Sequence, residues 1–92
     1  MDPLTQSLLA WLKQAAAKLG DVELAADTEL IEQGILDSLE ILRLVSFLEE
    51  RFHVTVPVDE FVPENFRTPA TIAAMMARLQ HPALAARAVA GG

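Results

Sequence analysis

The stretch Asp37-Ser38-Leu39-Glu40-Ile41-Leu42-Arg43-Leu44-Val45-Ser46-Phe47-Leu48-Glu49-Glu50-Arg51-Phe52 decides the fold. On a helical wheel Ile41, Leu44, Val45, Leu48 and Phe52 share one face, the pattern of an amphipathic helix lying on a core. Asp37 suits the N-cap, and Glu40 three residues on completes a pair like that of a capping box. Leu39 and Leu42 fall off the core face, close to Ser38 and Ser46. Phe47 also lies off the main stripe and has no evident place.

Working outward, the same periodicity recurs on both sides. Upstream, Pro3 and Thr5 open a helix whose apolar stripe is Leu4, Leu8, Trp11, Leu12, Ala15 and Leu19, ending near Gly20. Residues 20–37 then form a connection longer than the roughly 2–8 residues usual between bundle helices. Asp27 or Thr28 is placed to cap a short turn containing Leu30 and Ile31. Gly34 permits a tight bend before Ile35 and Leu36, so the loop is expected to be packed down by its apolar residues. Downstream, Val54, Val56 and Val58 alternate like a strand, but Pro57 and the lack of a partner strand favour an extended connector. A short helical turn is expected around Pro63 to Phe66, with Phe61 and Phe66 buried. Thr68 caps the last helix, Pro69 takes its first position, and Ile72, Met75 or Met76, and Leu79 form its inner stripe. From His81 onward the chain is rich in Ala, and Pro82 either terminates the last helix or starts a loose turn. The expected architecture is all-α, a bundle of three longer helices plus one short helix. The folded domain spans residues 1–80, and residues 81–92 form a flexible tail.

Composition narrows the functional classes. The chain has 92 residues, 52% of them hydrophobic, and a formal net charge of -6 from thirteen acids against seven basic residues. An acidic chain is a poor partner for phosphates, so nucleic acid is not expected. The acids Asp37, Glu40, Glu49, Glu50, Asp59, Glu60 and Glu64 face only Arg43 and Arg51 in their stretch. Both a solvated surface and a docking face for basic enzymes fit that pattern. There is no cysteine, which removes disulfides, thiolate metal sites and thiol nucleophiles. No secretory signal is evident, and no run approaches the ~18 apolar residues of a membrane span. A cytoplasmic monomer is expected.

No catalytic constellation is visible. The two histidines are His53, at the end of the second helix where a cationic ring complements the helix dipole, and His81, beside a proline in the tail. Neither has an evident Ser or Asp partner, and there is neither a phosphate loop nor a paired His motif for zinc. The chain is therefore not expected to be an enzyme. What remains is Asp37-Ser38-Leu39. A serine in a first helical turn is ordinary as a capping residue. Here it follows a long loop and stands beside two leucines that point away from the core, ringed by acids, which suits a contact site presenting the hydroxyl to a modifying enzyme.

The stretch from Glu29 through Gly34-Ile35-Leu36-Asp37-Ser38-Leu39 to Leu42 resembles the acyl and peptidyl carrier protein family. Leu30, the helix end Glu49-Glu50-Arg51-Phe52 and the helix start Thr68-Pro69 extend that resemblance over about Leu4 to Leu79. It implies a four-helix carrier fold and a 4'-phosphopantetheine arm held on Ser38, added from coenzyme A by a phosphopantetheinyl transferase. The arm's thiol would hold an acyl or aminoacyl group as a thioester. Asp37 would assist the transferase at the attachment point, through that enzyme's metal ion, the chain itself holding none. Leu39, Leu42, Glu40, Glu49 and Glu50 would meet partner enzymes. The segments Val56-Pro57-Val58-Asp59-Glu60-Phe61 and Glu64-Asn65-Phe66-Arg67-Thr68 look more like free-standing D-alanyl and aminoacyl carriers, which receive an amino acid from an adenylating enzyme and pass it to a downstream acyl-accepting or tailoring enzyme. Arg43 and Ser46 stand where fatty-acid carriers tend to have an acid and an apolar residue. Natural-product and non-ribosomal peptide pathways fit as well. A fatty-acid or polyketide carrier, or a helical interaction module without cofactor, are the alternatives.

Overall fold

Buried leucines set the frame of the chain, seen here in a computed structural model that describes residues 3–20 and 22–80. Helix α1 (Pro3–Ala16) contributes Leu8, Leu12 and Ala16, and α2 (Ser38–Phe52) contributes Leu44, Val45 and Leu48. From α3 (Pro69–Gln80) come Ile72, Met75 and Met76. Helix α1 packs against both α2 and α3. No strand occurs among the described residues, so the all-α class holds. No helix there is long and apolar enough to cross a membrane. His81, Pro82 and the tail expected from residue 81 lie outside the described residues.

The helix count differs from expectation. The short helix expected at Pro63–Phe66 is a 3-10 turn, as are Ala17–Leu19 and Val58–Glu60. Segments of three or four residues gain too few hydrogen bonds to pay for an α-helical nucleus. The turn at Ala17 also corrects the α1 stripe. Tightening from about 3.6 to 3 residues per turn rotates Leu19 off the apolar face, and Leu19 is 47% exposed. Ile41, Phe52, Phe61 and Leu79 are half-buried at the margin of the core, and both Met75 and Met76 are inside it. Phe47, off the α2 stripe, stacks on Trp11 of α1 with ring centroids 6.3 Å apart.

The long loop is stitched down as its apolar residues imply. Leu30, Ile35 and Leu36 are buried. The Leu30 amide donates to the Arg67 carbonyl at 2.8 Å, and the Leu30 carbonyl accepts from Ile35 at 2.9 Å and Leu36 at 3.1 Å. Gly34 closes that turn with φ +77°, a conformation that costs other residues more. The Thr28 hydroxyl does not cap the turn at Leu30. It reaches backward and accepts from the Ala25 amide at 2.7 Å. Two further ties hold the loop to the start of α3, Ala70 N–H to the Ala26 carbonyl at 3.0 Å and Arg67 Nε to Glu29 Oε2 at 3.2 Å. Thr68 caps α3 as expected, accepting from the Thr71 amide, while the Thr71 hydroxyl accepts from the Thr68 amide, both at 3.1 Å.

The valine alternation does not carry through the connector, because Val58 already belongs to the Val58–Glu60 turn. Val56 is buried and Val58 is 83% exposed. The Val56 amide finds its acceptor in the Glu49 carboxylate at 2.9 Å, which fastens the connector beneath the last turn of α2. His53 ends that helix in the left-handed conformation, φ 55°, donating its amide to the Glu49 carbonyl.

Truncating the loop's anchor, Leu30→Ala, should cost about 2–5 kcal/mol in urea unfolding. Gly34→Ala should cost about 1 kcal/mol, from backbone strain alone, because open space surrounds the position where its Cβ would lie.

A candidate functional site at the start of the second helix

Asp37 has extended backbone and is the N-cap of α2. Its Oδ1 accepts from the Glu40 amide at 2.8 Å. That bond satisfies one of the orphan donors of the first turn. It also relieves the neighbouring serine of the capping task. Ser38 is the first residue of α2, it is exposed, and among the described residues its hydroxyl has no side-chain hydrogen-bond partner. The reciprocal half of the expected capping box is missing, because the Glu40 carboxylate turns to Arg43 at 3.4 Å instead.

An open groove of about 680 Å³ begins at Ser38. One side is α2, through Asp37, Ser38, Ile41 and Leu42. The loop supplies Ile31, Gly34 and Leu36, and the connector before α3 supplies Phe61, Pro63 and Phe66. The Phe61 and Phe66 rings are tilted together, centroids 6.1 Å apart. Beside the groove, Leu39 and Leu42 are each 55% exposed. These leucines on the polar side of the helix are left uncovered by the fold and form an exposed apolar patch.

The acids expected around Ser38 have unequal surroundings. Glu40 is engaged with Arg43, and Glu49 is half-buried and holds the Val56 amide. Glu50 is exposed. The groove wall formed by Ile31, Phe61 and Pro63 was not singled out in the sequence. Apolar residues in a connector that match no helical stripe were the available signal. The side-chain node of Glu60, Asn65 and Arg78 behind that wall left no such signal.

A phosphate-bearing arm fits this place. The hydroxyl is accessible, and the open amide donors of the first turn of α2 complement a phosphodiester's charge. Apolar walls start beside the Ser38 hydroxyl. With Asp37 holding the cap, replacing it by Ala should lower stability by about 1 kcal/mol, and Asp37→Asn should keep most of that in thermal or urea unfolding.

Comparison with known proteins agrees with the geometry. Residues 10–76 match the family model described as phosphopantetheine attachment site. The D-alanyl carrier protein 2 of Lactiplantibacillus plantarum is 35% identical over 80 residues, covering 87% of this chain and 98% of that protein. The lincomycin biosynthesis protein LmbN of Streptomyces lincolnensis is 43% identical over 74 residues, 80% of this chain, and the match spans about a quarter (26%) of its length. The fold superposes with TM-score 0.69 and 23% identity on a chain in the crystal structure of Bradyrhizobium japonicum glycine:[carrier protein] ligase complexed with glycylated carrier protein, covering 80% of this chain and 99% of that one. The chain therefore belongs to the phosphopantetheine-attachment family, carrier proteins that hold a 4'-phosphopantetheine arm covalently on a serine.

Proposed function

We propose that Ser38 is the serine that holds the arm. The observation that carries this assignment is the division of labour at the start of α2, where Asp37 caps the helix and leaves an exposed hydroxyl, unpartnered among the described residues, at the mouth of an apolar groove. The chain has three serines. Ser7 is half-buried within α1, and Ser46 sits mid-helix in α2, two turns from the amide donors of its first turn. A phosphopantetheinyl transferase would join the Ser38 oxygen to the phosphate of coenzyme A's pantetheine arm, releasing adenosine 3',5'-bisphosphate. The arm supplies the thiol that a chain without cysteine lacks, and that thiol holds its cargo as a thioester. Asp37, one residue away, would meet the transferase at its metal ion.

The chain itself acts as a carrier and leaves bond-making to its partners. Leu39 and Leu42, with Glu50, form the surface they would meet. Glu40 and Glu49 have their internal bonds and would add only what those bonds leave of their carboxylates. The cargo we infer is an amino acid or another small acid, loaded by an adenylating ligase and passed to an acyl-accepting or tailoring enzyme. The kinship with a D-alanyl carrier, and the fold shared with a chain from a glycine ligase complex, support that cargo class.

Incubation with coenzyme A and a broad-specificity transferase should raise the intact mass by one phosphopantetheinyl group. Ser38→Ala should stay folded, because Asp37 keeps the cap, and should gain nothing. The modified chain should then accept an amino acid from an aminoacyl-adenylating ligase. Loading by a long-chain fatty-acid ligase together with refusal of every amino acid would overturn the cargo assignment.

A further inference from the structure

Behind the groove lies a polar node that the carrier role has not used. Glu60 Oε1 accepts from Arg78 Nη2 at 2.8 Å and from Asn65 Nδ2 at 3.0 Å. Asn65 Nδ2 also donates to the Glu60 carbonyl at 2.8 Å, and Arg78 Nη2 lies 3.5 Å from Asn65 Oδ1. The Asn65 carbonyl accepts from the Thr71 hydroxyl at 3.2 Å. Arg78 and Thr71 belong to α3, whereas Glu60 and Asn65 belong to the connector.

The node closes the segment 60–65 against α3. Inside that segment stand Phe61 and Pro63, which line the groove opposite Ile41 and Leu42. Among the described residues no hydrogen bond or ion pair ties residues 58–64 to α2. The polar hold on this wall therefore runs through α3. The Glu60 side chain is 27% exposed and that of Arg78 48%, so the pair is partly sheltered and shares its carboxylate with an amide. A carboxylate oxygen shared between a guanidinium and an amide orders a segment better than a lone surface pair.

We propose that Arg78 is a positioning residue. Through Glu60 and Asn65 it holds the Phe61–Pro63 wall at the spacing from α2 at which enzymes acting on Ser38 engage the carrier. The proposal rests on Ser38 being the attachment residue. It extends the recognition surface to a cation on α3 that touches neither the groove nor the arm.

The test uses the full chain without its arm, coenzyme A and a broad-specificity phosphopantetheinyl transferase. It compares wild type, Arg78→Met, Arg78→Lys and Glu60→Gln. Arg78→Met should raise the KM for the carrier by about two- to five-fold, the size one partly exposed pair supplies, and leave kcat unchanged. The Phe61 ring and Leu42 methyl NMR signals should shift with it, and Arg78→Lys should restore most of both. A folded Arg78→Met chain with unchanged KM and unchanged Phe61 and Leu42 signals would overturn the proposal. If Arg78→Met fails to fold, Glu60→Gln decides by the same two readouts. A wild-type chain that takes no arm contradicts the Ser38 assignment instead, and the NMR signals alone then decide whether Arg78 sets the wall.

Discussion

The Leu30 amide donates to the carbonyl of Arg67, and the Leu30 carbonyl receives the amides of Ile35 and Leu36. These three bonds are made around a side chain that is wholly buried. A loop as long as 20–37 would otherwise carry backbone groups in need of partners and a large ordering entropy. With Leu30 fixed, the chain turns at Gly34 and delivers Asp37 and Ser38 to the head of α2. The bond to Arg67 also brings in the connector that carries Phe61, Pro63 and Phe66. The loop side of the groove at Ser38 is thus anchored by one buried residue, which also ties the loop to the connector's end at Arg67.

Much of this was legible because it is periodic or local. The α2 face of Leu44, Val45 and Leu48 follows from 3.6-residue spacing, and the Asp37 and Thr68 caps follow from residue type next to an apolar run. Ser38 stood out because two leucines beside it had no core to enter, and both are exposed. The features that were not legible join residues distant in sequence. Nothing local pairs Phe47 with Trp11 or Arg78 with Glu60. Leu19 was misplaced for a different reason. A 3-10 turn breaks the period on which the assignment rested.

Charge shows the same division. A run of acids reads as a docking face when only signs are counted. In the fold Glu49 serves the Val56 amide, Glu40 faces Arg43, and Glu60 joins Arg78. Three acids therefore have partners within the fold, and the surface next to Ser38 is more apolar than the composition suggests. Apolar contact gives affinity without direction, while the groove and the helix start give direction. For the proposed carrier role that combination suits transient contact, since a small apolar patch holds a partner only weakly.

The central claim is that the arm sits on Ser38 and nowhere else. The most direct measurement is site localisation by tandem mass spectrometry on the loaded chain, with fragmentation that preserves the phosphodiester. The account predicts that every fragment containing Ser38 carries the added group and that fragments containing only Ser7 or Ser46 carry none. An added group on Ser7 or Ser46, with Ser38 unmodified in a folded chain, would contradict it.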